Sequence, residues 1–554
     1  MKIVIIGGVA AGTSAAAKAR RNDETAEIDL FDADTDISYS SCGLPYYIGT
    51  GIENREQLVP RDAAFFKKKY NVNLYTLHKV LEIRTTEKLV LVENLLNGEI
   101  FEKHYDKLVL ATGAQPIKPP LPGMDKQNVF LVRNVASADK LRTYIQERKP
   151  KRAVIVGSGF IGLEMAENLT ARGLYVTIVE MAPYIMPALD LDMSVYIEDH
   201  LKAKQIRLFT ANPVVYLEGK DTVEQVCLQN GQVIPTDFVI MAVGVRPNVE
   251  LAQRAGIALG VTGAIAVNSR METNLEGIYA CGDCAESYSL ITKQAFYRPL
   301  GSTANKMGRI VGDQMTGGNL EFRGGLGTGI FKVFDLTVAQ TGLTEKEAHR
   351  AGYEVVVCHN IKPDKPEYFH GKEMIIKAIA DQVTGRILGA QIVGFQGVDK
   401  RIDVFVTAIS FGAKAEDLFH LDLAYAPPFS TTKDPVIYTG MILENTLHRG
   451  RRLITPDRLS EKIQQGEDIQ IIDARIGPQY EDSHIVGARN IPQDELRNTL
   501  HSLDKEKPTV TYCNKGVTGN ATQNILINAG FKEVYNLSGG HKHYNKIIGG
   551  EVKK

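Results

Sequence analysis

Two cysteines stand where a thiol could take part in a reaction. Cys42 lies in the segment SYSSCGLPYY, between serines and a Gly-Leu-Pro turn. Cys513 follows the apolar stretch TVTY and opens the loop CNKGVT, after which a helix is predicted. The reactive form of cysteine is the thiolate, which helix N-termini and loops rich in backbone N–H groups stabilise. Both segments are therefore candidate sites of sulfur chemistry, although a buried, inert Cys42 is the simpler alternative.

A glycine turn precedes Cys42 by about thirty residues. In VIIGGVAAG, Gly7 and Gly12 stand at the first and third glycine positions of a dinucleotide fingerprint, and Val9 takes the second. An Ala-rich helical stretch follows, and then a strand, AEIDLFD, that ends in Asp32. Glycines let the backbone approach a pyrophosphate at a helix N-terminus, and the acid accepts a hydrogen bond from a ribose hydroxyl. By itself this turn is also compatible with an ordinary glycine-rich loop.

A second, complete fingerprint occurs in AVIVGSGFIGLEMAENL, with glycines at Gly157, Gly159 and Gly162. Its second strand ends in Glu180. The two strand–turn–helix–strand units, about 150 residues apart, predict two bound dinucleotides. No arginine follows Glu180 directly, so the acid favours NADH over a nucleotide with a 2′-phosphate.

Composition excludes several classes of protein. The chain has 554 residues, enough for three or four domains, and a formal net charge of −1, which gives no reason to expect nucleic acid as a partner. No apolar run is long enough for a membrane helix, and because Met1 leads directly into an apolar strand we expect no signal peptide. The six scattered cysteines argue against a disulfide framework and for a reducing, cytoplasmic location.

The order of further motifs completes a pattern. YDKLVLATGA and DFVIMAVGVRPN each predict a strand that runs into a glycine turn, and TNLEGIYACGDCAES predicts a strand that ends at Asp283. With the two fingerprints, residues 1–446 resemble the FAD- and NAD(P)H-dependent pyridine nucleotide-disulfide oxidoreductases. The resemblance implies that FAD binds the first unit, near Thr112, Gly113 and Asp283. It implies that NAD(P)H binds the second unit, near Gly244.

Cys281 and Cys284 form the only C-x-x-C pair of the sequence. Such a pair can serve redox chemistry or contribute half of a zinc site. A second pair for a four-cysteine metal site does not exist in the sequence, and the resemblance gives this segment a role at the flavin. We therefore predict no metal site here.

Cys42 then resembles the redox cysteine of the single-cysteine branch of this family. Disulfide reductases of the glutathione reductase type carry a second cysteine where Tyr47 stands. The single-cysteine branch includes coenzyme A-disulfide reductases, NADH oxidases and NADH peroxidases. Its oxidases and peroxidases place a histidine in the first glycine turn, where this chain has Ala10, so we favour coenzyme A as the source of the second sulfur. An NADH oxidase that uses a Cys42 sulfenate stays open, as does a sulfur carrier or redox sensor.

The resemblance to coenzyme A-disulfide reductases also implies residues that bind the substrate. Ser38 and Ser41 belong to the motif around the cysteine, and cations should meet the phosphates of coenzyme A. The candidates for those cations are Arg20, Arg21, Arg61 and the run Lys67, Lys68 and Lys69, of which Lys69 is the one we select. A lysine run is equally typical of a solvated helix face.

Residues 325–446 resemble the dimerisation domain of the family, which implies a homodimer. GIFKVFDLTVAQTG and KAIADQVTGRILGAQIVG alternate apolar and polar residues as strands do, with a turn at DQVTGR. In coenzyme A-disulfide reductases two tyrosines of this domain reach the active cysteine of the partner subunit. The matching residues here are Tyr425, in AYAPPFS, and Tyr368, in KPEYFHG.

The last hundred residues resemble a rhodanese domain. The strand IQIIDAR ends at Asp473, and the loop after TVTY brings Cys513 and Lys515 to the N-terminus of a helix, where backbone N–H groups would hold an anionic sulfur. A cysteine phosphatase has a similar loop but needs an arginine where Gly519 stands. Rhodaneses often have an arginine at the position of Thr518, so the preferred sulfur donor stays open.

The sequence thus predicts an α/β protein with two Rossmann-like domains, an α+β dimerisation domain and an α/β rhodanese domain. The predicted boundaries are residues 1–115 and 250–324 for FAD, 116–249 for NAD(P)H, 325–446 for dimerisation, 447–455 for a linker and 456–554 for rhodanese. The predicted function is reduction of coenzyme A disulfide, persulfide or polysulfide by NADH or NADPH through FAD and Cys42. Cys513 would exchange sulfur with sulfane-sulfur donors and coenzyme A thiols.

Overall fold

The structure is a computed structural model that describes residues 1–549 and the backbone of residues 552–553. The chain forms two compact units, one of Met1–Pro183 and Gln205–Gly327, the other of Tyr184–Lys204 and Thr328–Lys554. The helices are α1 Ala11–Asn22, α2 Leu44–Ile48, α3 Ala63–Tyr70, α4 Val135–Arg148, α5 Phe160–Ala171, α6 Leu191–Ala203, α7 Glu250–Arg254, α8 Gly301–Met315, α9 Glu345–Arg350, α10 Val398–Ser410, α11 Ala415–Phe419, α12 Pro435–His448, α13 Pro456–Gln464, α14 Gly477–Asp482, α15 Leu496–Thr499, α16 Val517–Asn528 and α17 Gly540–Ile547.

The strands of the first unit are β1 Lys2–Ile6, β2 Glu27–Phe31, β3 Asn73–Tyr75, β4 His78–Arg84, β5 Leu89–Asn94, β6 Ile100–His104, β7 Lys107–Leu110, β8 Ala114–Pro116, β9 Val129–Phe130, β10 Arg152–Val156, β11 Tyr175–Val179, β12 Arg207–Phe209, β13 Val214–Glu218, β14 Gln225–Leu228, β15 Val233–Pro235, β16 Phe238–Met241, β17 Val245–Pro247, β18 Ile278–Ala280, β19 Ser287–Tyr288 and β20 Ala295–Phe296. Those of the second unit are β21 Gly329–Val333, β22 Leu336–Gly342, β23 Val355–Pro363, β24 Glu373–Asp381, β25 Ile387–Gly394, β26 Arg452–Ile454, β27 Gln470–Asp473, β28 His484–Ile485, β29 Ala488–Asn490, β30 Thr509–Tyr512, β31 Val534–Leu537 and β32 Val552–Lys553.

Two five-stranded parallel sheets form the core of the first unit. Their strand orders are β18-β7-β1-β2-β3 and β12-β11-β10-β16-β9. Every pairing in both sheets is parallel, so the carboxyl ends of the strands in each sheet meet at one edge. Ligands bind at that edge of open α/β sheets. The two predicted dinucleotide units thus appear as two separate parallel sheets.

An antiparallel sheet of order β21-β22-β25-β24-β23 occupies the middle of the second unit. The strands predicted from alternating residues form, and the predicted turn lies between the end of β24 at Asp381 and the start of β25 at Ile387. Helices α10 and α12 pack against this sheet. The predicted α+β domain is present in these residues.

The chain ends in a five-stranded parallel sheet of order β26-β31-β30-β27-β29. Its first strand, Arg452–Ile454, pairs with β31, although we predicted that residues 447–455 form a linker. Helix α12 extends to His448, so only residues 449–451 lie between the two elements. The basic side chains misled the prediction because an edge strand keeps charged residues in solvent while its backbone joins the sheet.

A buried polar network ties this last sheet to the antiparallel one. His359 of β23 contacts Asp192 of α6 (Nε2 to Oδ2, 2.7 Å), and its backbone N–H donates to the hydroxyl of Ser538. The ammonium of Lys377 donates to both oxygens of Asp192, at 2.8 and 3.0 Å. Asp192 is held ionised, since the neighbouring Lys377 and His359 lower its pKa against the effect of burial. His543 of α17 packs on His359 with ring centroids 4.2 Å apart.

A membrane-spanning segment was not predicted. Within residues 1–549 and 552–553, no helix combines the length and apolar character that crossing a bilayer requires.

Candidate active site

Cys42 lies in a short 3₁₀ turn, Ser41–Gly43, that continues into α2. It is exposed, whereas the five other cysteines are buried. Tyr47, at the position of a second redox cysteine, is buried and donates its hydroxyl to Asp139 at 2.7 Å. Arg172 fixes the end of α2 by donating from Nε to the carbonyl of Gly49 at 3.1 Å. The structure therefore presents one accessible thiol on a firmly held helix start.

Next to Cys42, an acid and a phenol share a hydrogen bond that sequence analysis missed. Tyr46 donates its hydroxyl to Oε1 of Glu164 at 3.4 Å. Burial raises the pKa of Glu164 to about 7, and burial together with Glu164 raises the pKa of Tyr46 to about 12. The negative charge of Cys42 contributes to the rise for Tyr46, so the three groups are neighbours. The only signal in the sequence was the acid within the helix that follows the second glycine turn.

The first glycine turn joins β1 to α1. Gly7 has φ +105°, and a Cβ there would lie 2.2 Å from the carbonyl oxygen of Ala111. A Cβ on Gly12 would lie 1.9 Å from the carbonyl oxygen of Gly7. Asp32, directly after β2, accepts from the N–H of Gly8 at 2.6 Å. This geometry brings an acid and a helix start together, as a bound dinucleotide requires.

The second glycine turn repeats this geometry between β10 and α5. A Cβ on Gly157, at φ +103°, would lie 2.4 Å from the carbonyl oxygen of Ala242, and one on Gly162 would lie 2.2 Å from the carbonyl oxygen of Gly157. At Gly159 a Cβ would point into open space, with no atom within 4 Å. That gap lies where the middle glycine allows a pyrophosphate to approach the helix.

Glu180 occupies the acid position of the second turn. Its Oε2 accepts from the N–H and the hydroxyl of Ser158 at 2.9 and 2.6 Å, and its Oε1 accepts from the N–H of Ala182 at 2.8 Å. Gly244, with φ +114°, lies in the turn after β16 at the same edge of the sheet. Both turns therefore fit dinucleotides by their shape as well as by their motifs.

Three more predicted cofactor residues follow strands at the edge of the first sheet. The hydroxyl of Thr112 donates to the carbonyl of Asn248 at 2.8 Å, and the N–H of Asn248 donates to the carbonyl of Gly113 at 2.9 Å. Asp283, after β18, forms an ion pair with Arg133 at 3.3 Å. Gly7, Asp32, Thr112 and Asp283 thus belong to turns at one sheet edge.

Cys281 and Cys284 lie in the core and are fully buried. Cys284 directs its thiol at the carbonyls of Leu110 and Cys281, at 3.4 and 3.3 Å. Burial raises the pKa of both thiols, which keeps them protonated and unreactive at neutral pH. Their role in this structure is packing beside Asp283.

The predicted phosphate-binding cations do not form one group. Arg20 is 3% exposed, and all its N–H groups donate to main-chain carbonyls, those of Tyr70, Asp23, Glu24, Ala26 and Asn71. Arg20 therefore has no donor left for a phosphate, and its selection as a substrate-binding residue was wrong. Both Arg20 and Arg21 are arginines of α1, so residue type alone does not show that Arg20 lies on the buried face and Arg21 on the exposed face.

The other cations surround two aromatic rings of α3. The guanidinium of Arg61 lies 5.7 Å from the ring centre of Phe65, and the ammonium of Lys69 lies 5.4 Å from the same centre. Arg21 lies 5.4 Å from the ring centre of Tyr70. These three cations are exposed, and with the rings of Phe65 and Tyr70 they form a basic surface. Ser41 is also exposed, whereas Ser38 is half-buried with φ +51°.

The two tyrosines predicted to reach a partner subunit lie on the surface of the dimerisation domain. Tyr368, in a 3₁₀ turn, is 71% exposed, and Tyr425, in an irregular segment, is 48% exposed. At this exposure Tyr368 is not a half-buried core residue of the domain.

Cys513 directly follows β30, in a loop that leads to α16. The loop packs closely against the start of α17, where the N–H of His541 donates to the carbonyl of Cys513 at 2.8 Å. A Cβ on Gly540 would lie 2.4 Å from that same carbonyl oxygen. Only glycine at position 540 lets α17 begin this close to the loop. The start of α17 therefore helps to fix the conformation of the Cys513 loop.

A buried arginine, Arg475, contacts the Cys513 loop at Asn514. Arg475, two residues after the end of β27, makes a bidentate ion pair with Asp473 and donates to Oδ1 of Asn514 at 3.3 Å. Its Nη1 also lies 3.3 Å from Nδ1 of His541, and burial lowers the pKa of His541 to about 4. Sequence analysis missed both Arg475 and His541, although Arg475 ends the strand motif IQIIDAR.

Gly519 has no space for the arginine of a cysteine phosphatase. A Cβ there would lie 2.4 Å from Oδ1 of Asn536 and 3.1 Å from Cα of Tyr512. The loop can hold an anionic sulfur with its backbone and Lys515, but it lacks the guanidinium that would hold a phosphate ester.

Comparison with known proteins agrees with this geometry. Residues 1–297 match the pyridine nucleotide-disulphide oxidoreductase family, residues 329–435 match its dimerisation domain, and residues 455–546 match the rhodanese-like domain. The chain belongs to the pyridine nucleotide-disulphide oxidoreductases. It is therefore an oxidoreductase of a family that uses FAD and NAD(P)H.

The chain is similar to several named proteins over most of its length. It is 37% identical to the NAD(P)H sulfur oxidoreductase (CoA-dependent) of Pyrococcus furiosus, over 80% of this chain and 99% of the relative. It is 36% identical to an NADH oxidase of Methanocaldococcus jannaschii, over 79% of this chain and 97% of the relative. The crystal structure of reduced Bacillus anthracis CoADR-RHD covers the whole chain and 99% of its own, with 38% identity and a TM-score of 0.97.

Proposed function

We propose that this protein uses NAD(P)H to reduce coenzyme A disulfide and coenzyme A persulfide or polysulfide at Cys42, and that Cys513 exchanges sulfane sulfur with the same thiols. The observation that supports this most is the pairing of an exposed Cys42 with a buried tyrosine at position 47. Because the chain provides no second redox cysteine beside Cys42, an internal disulfide cannot form there, and a disulfide or persulfide substrate would supply the other sulfur.

The reaction at Cys42 is a thiol–disulfide exchange. The thiolate of Cys42 attacks one sulfur of the substrate, an S–S bond forms to Cys42, the S–S bond of the substrate breaks, and a thiolate leaves. FAD, held by Gly7, Gly12, Asp32, Thr112, Gly113 and Asp283, would supply two electrons taken from NAD(P)H. These electrons would cleave the S–S bond on Cys42, return Cys42 to the thiolate and release the second sulfur group as a thiol or sulfide. Gly157, Gly159, Gly162, Glu180 and Gly244 would hold the nicotinamide nucleotide. When the Tyr46 hydroxyl turns from Glu164 to the leaving thiolate, it can give its proton to that thiolate and take the proton of Glu164 in exchange.

We assign the phosphates of coenzyme A to the basic surface on α1 and α3. Arg21, Arg61 and Lys69 offer three cations around Phe65 and Tyr70. Lysine and arginine bind phosphates, and the rings offer a stacking surface for an adenine. Ser41 and Ser38 would line the entry of the thiol arm.

We further propose that two copies of the chain form the active enzyme. The dimerisation domain supports a homodimer, and the exposed Tyr425 and Tyr368 would then reach Cys42 of the partner subunit. A cytoplasmic location is consistent with six free cysteines.

A variant of Cys42 tests the proposal. Cys42→Ser should abolish NADH oxidation with coenzyme A disulfide or persulfide, a loss of at least about a thousandfold for removal of a covalent nucleophile. The flavin should stay bound and still be bleached by NADH under anaerobic conditions, because its binding residues are elsewhere. Cys513→Ser serves as the matched control and should keep the reduction of coenzyme A disulfide.

The outcome that contradicts the proposal is near-normal turnover of coenzyme A substrates by Cys42→Ser. The second candidate function is that of an NADH oxidase, to which the chain is also similar. If wild-type protein consumes oxygen with NADH rapidly but leaves coenzyme A disulfide untouched, then that function is the correct one.

A further inference from the structure

One short segment of the rhodanese domain, residues 538–542, contacts the Cys513 loop through its main chain. The N–H groups of His541 and Lys542 donate to the carbonyls of Cys513 and Asn514, at 2.8 and 3.1 Å. These hydrogen bonds join two consecutive residues of the segment to two consecutive residues of the loop. A shift of residues 538–542 would therefore also move the loop that carries Cys513.

The dimerisation domain holds the beginning of this segment. The hydroxyl of Ser538 accepts from the main-chain N–H of His359 in β23 at 2.7 Å and lies 3.0 Å from Nδ1 of the same residue. His359 is in turn fixed by Asp192 of α6, whose Oδ2 lies 2.7 Å from Nε2. Ser538 and His359 are both buried, so loss of this hydrogen bond would leave polar groups without water or protein partners.

A carboxylate of the dimerisation domain connects the end of the segment with the loop itself. Glu373, at the start of β24, forms an ion pair through Oε1 with Lys515, two residues after Cys513, and through Oε2 with Lys542. Burial works to raise the pKa of Glu373, but the two ammonium groups lower it below its usual value, so Glu373 is ionised at neutral pH. One carboxylate thus bridges two rhodanese residues that are 27 positions apart in the sequence.

We propose that Glu373 is a positioning residue for Cys513. Its carboxylate bridges Lys515 of the loop and Lys542 of the segment 538–542, and it thereby holds the Cys513 loop in the conformation that exchanges sulfur. The dimerisation domain then takes part in the rhodanese reaction through Lys515 and Lys542, without contact with the sulfur. The inference rests on the proposed sulfur exchange at Cys513 and adds to it a residue from another domain.

The expected effect concerns the thiolate of Cys513. Main-chain N–H groups of a loop stabilise an anionic sulfur only while they converge on it. A loop released from Glu373 would lose part of this stabilisation, and the thiolate would form only at a higher pH. The reaction itself stays the same: the thiolate attacks the outer sulfur of a persulfide R–S–SH, a new S–S bond forms on Cys513, the S–S bond of the donor breaks, and R–S⁻ leaves and takes up a proton.

Alkylation of Cys513 by iodoacetamide across a range of pH tests the proposal without any sulfur donor. Peptide mapping by mass spectrometry distinguishes Cys513 from the exposed Cys42. The side chains of Glu373 and its two lysines are 34 to 53% exposed, so we expect a moderate effect. Glu373→Gln should raise the pH midpoint of alkylation by about half a unit to one unit, and below that midpoint it should slow sulfur loading from coenzyme A persulfide about threefold to tenfold.

Glu354→Gln is the matched control, because it removes an exposed carboxylate of the same domain. It should leave both the pH midpoint and the rate of sulfur loading unchanged. Glu373 is only partly buried, and a thermal melt of each variant shows whether a change at Cys513 comes from unfolding of the whole protein.

The two lysines separate position from charge. If the ion pairs hold the loop, a double variant with Lys515→Gln and Lys542→Gln should raise the midpoint as Glu373→Gln does, and addition of Glu373→Gln to it should change nothing further. If charge alone acts, loss of the ammonium groups would raise the midpoint but loss of the carboxylate would lower it. A lower or an unchanged midpoint in Glu373→Gln therefore overturns the positioning role.

Sulfur loading of the wild-type protein separates this inference from the proposed function. If Cys513 is alkylated as a thiolate but takes no sulfur from coenzyme A persulfide or thiosulfate, the proposed exchange fails, and the midpoint still decides whether Glu373 holds the loop. If the wild-type protein loads Cys513 but Glu373→Gln behaves like Glu354→Gln, only the positioning role is refuted. If Cys513 reacts no faster than the buried Cys358, the loop holds no thiolate and both fail.

Discussion

At the scale of single residues, the carboxylate of Glu180 lies at the end of β11, where the ribose of a nucleotide in the second glycine turn would reach it. Three protein donors, from Ser158 and Ala182, hold it there as a charged acceptor. A fixed negative charge repels a 2′-phosphate and accepts from the two ribose hydroxyls of NADH.

We therefore predict that kcat/KM with NADH is at least equal to that with NADPH. Glu180→Gln should lower the ratio of kcat/KM with NADH to kcat/KM with NADPH about tenfold, because it removes the charge but keeps the size of the side chain. Steady-state kinetics with both nucleotides measure this, and Glu167→Gln on α5 is the control. A strong preference of the wild-type protein for NADPH would contradict the assignment.

Glu164 predicts a pH dependence. Burial places its pKa at about 7, so the protonated acid is present below that pH and is lost as the pH rises through it. If Glu164 protonates the leaving thiolate, kcat for coenzyme A disulfide should fall above pH 7 in the wild-type protein. In Glu164→Gln this descending limb should vanish and the rate at low pH should drop about tenfold to a hundredfold. A pH–rate profile that keeps its descending limb in the variant would assign that limb to another group.

At the scale of elements, both parallel sheets use the same contact between a helix and a glycine turn. The third glycine of each turn packs its Cα against the carbonyl of the first, at Gly12 on Gly7 and at Gly162 on Gly157. The contact sets the distance from helix to strand, and hence the place of the helix N-terminus that would face a pyrophosphate.

Gly162→Ala and Gly159→Ala should separate packing from binding. At Gly162 the new methyl group would lie 2.2 Å from a main-chain oxygen, so α5 has to move, and we expect a loss of roughly 1–3 kcal/mol in the free energy of unfolding together with weak NADH binding. At Gly159 the methyl group meets no protein atom within 4 Å, so stability should stay normal while NADH binding weakens. Thermal melts and NADH titrations measure both, and the idea fails if Gly159→Ala is the less stable variant.

At the scale of the whole molecule, the chain joins two cysteine sites with separate supports. Cys42 depends on α2 and Glu164, whereas Cys513 depends on Arg475, α17 and the dimerisation domain. A tethered sulfur carrier raises the local concentration of sulfur near the reductase without taking part in the flavin reaction.

Cys513→Ser should accordingly remove sulfur transfer from bulky persulfide donors while keeping most of the reduction of freely diffusing coenzyme A persulfide. Hydrogen sulfide release with coenzyme A persulfide and with a protein-bound persulfide measures the two paths. Cys358→Ser, at a buried cysteine of β23, is the control for loss of a thiol. Near-total loss with both substrates would mean that sulfur has to pass through Cys513 before it reaches Cys42.

Most of the architecture was accessible from the sequence because local patterns decide it. The glycine spacing, the acids at strand ends and the alternation that predicted β21, β22, β24 and β25 are short-range properties, and these elements form where they were predicted. Strand β23 was not predicted. The order of the motifs likewise identified the family. Cys42 and Cys513 lie in turns that lead into helices, as expected.

Tertiary packing decided what residue type alone leaves open. Arg20 and Arg21 are adjacent in sequence, but helix geometry turns Arg20 inward onto main-chain carbonyls and leaves Arg21 exposed. Arg452–Ile454 forms a strand because it pairs with the edge of β31. The local sequence does not predict this pairing.

The sequence by itself predicted two reactive thiols and two turns that can hold a dinucleotide. The turns were predicted from glycines and acids within one strand–turn–helix–strand unit, and the thiols from an order of motifs that resembles known families. Only the tertiary structure placed Glu164 at Tyr46 and Arg475 at Asn514 of the Cys513 loop. These partners are separated by 39 to more than a hundred residues along the chain. Their proximity, and the pKa of Glu164 that burial sets, arise from the folding of distant segments against each other, which spacing within a motif does not encode.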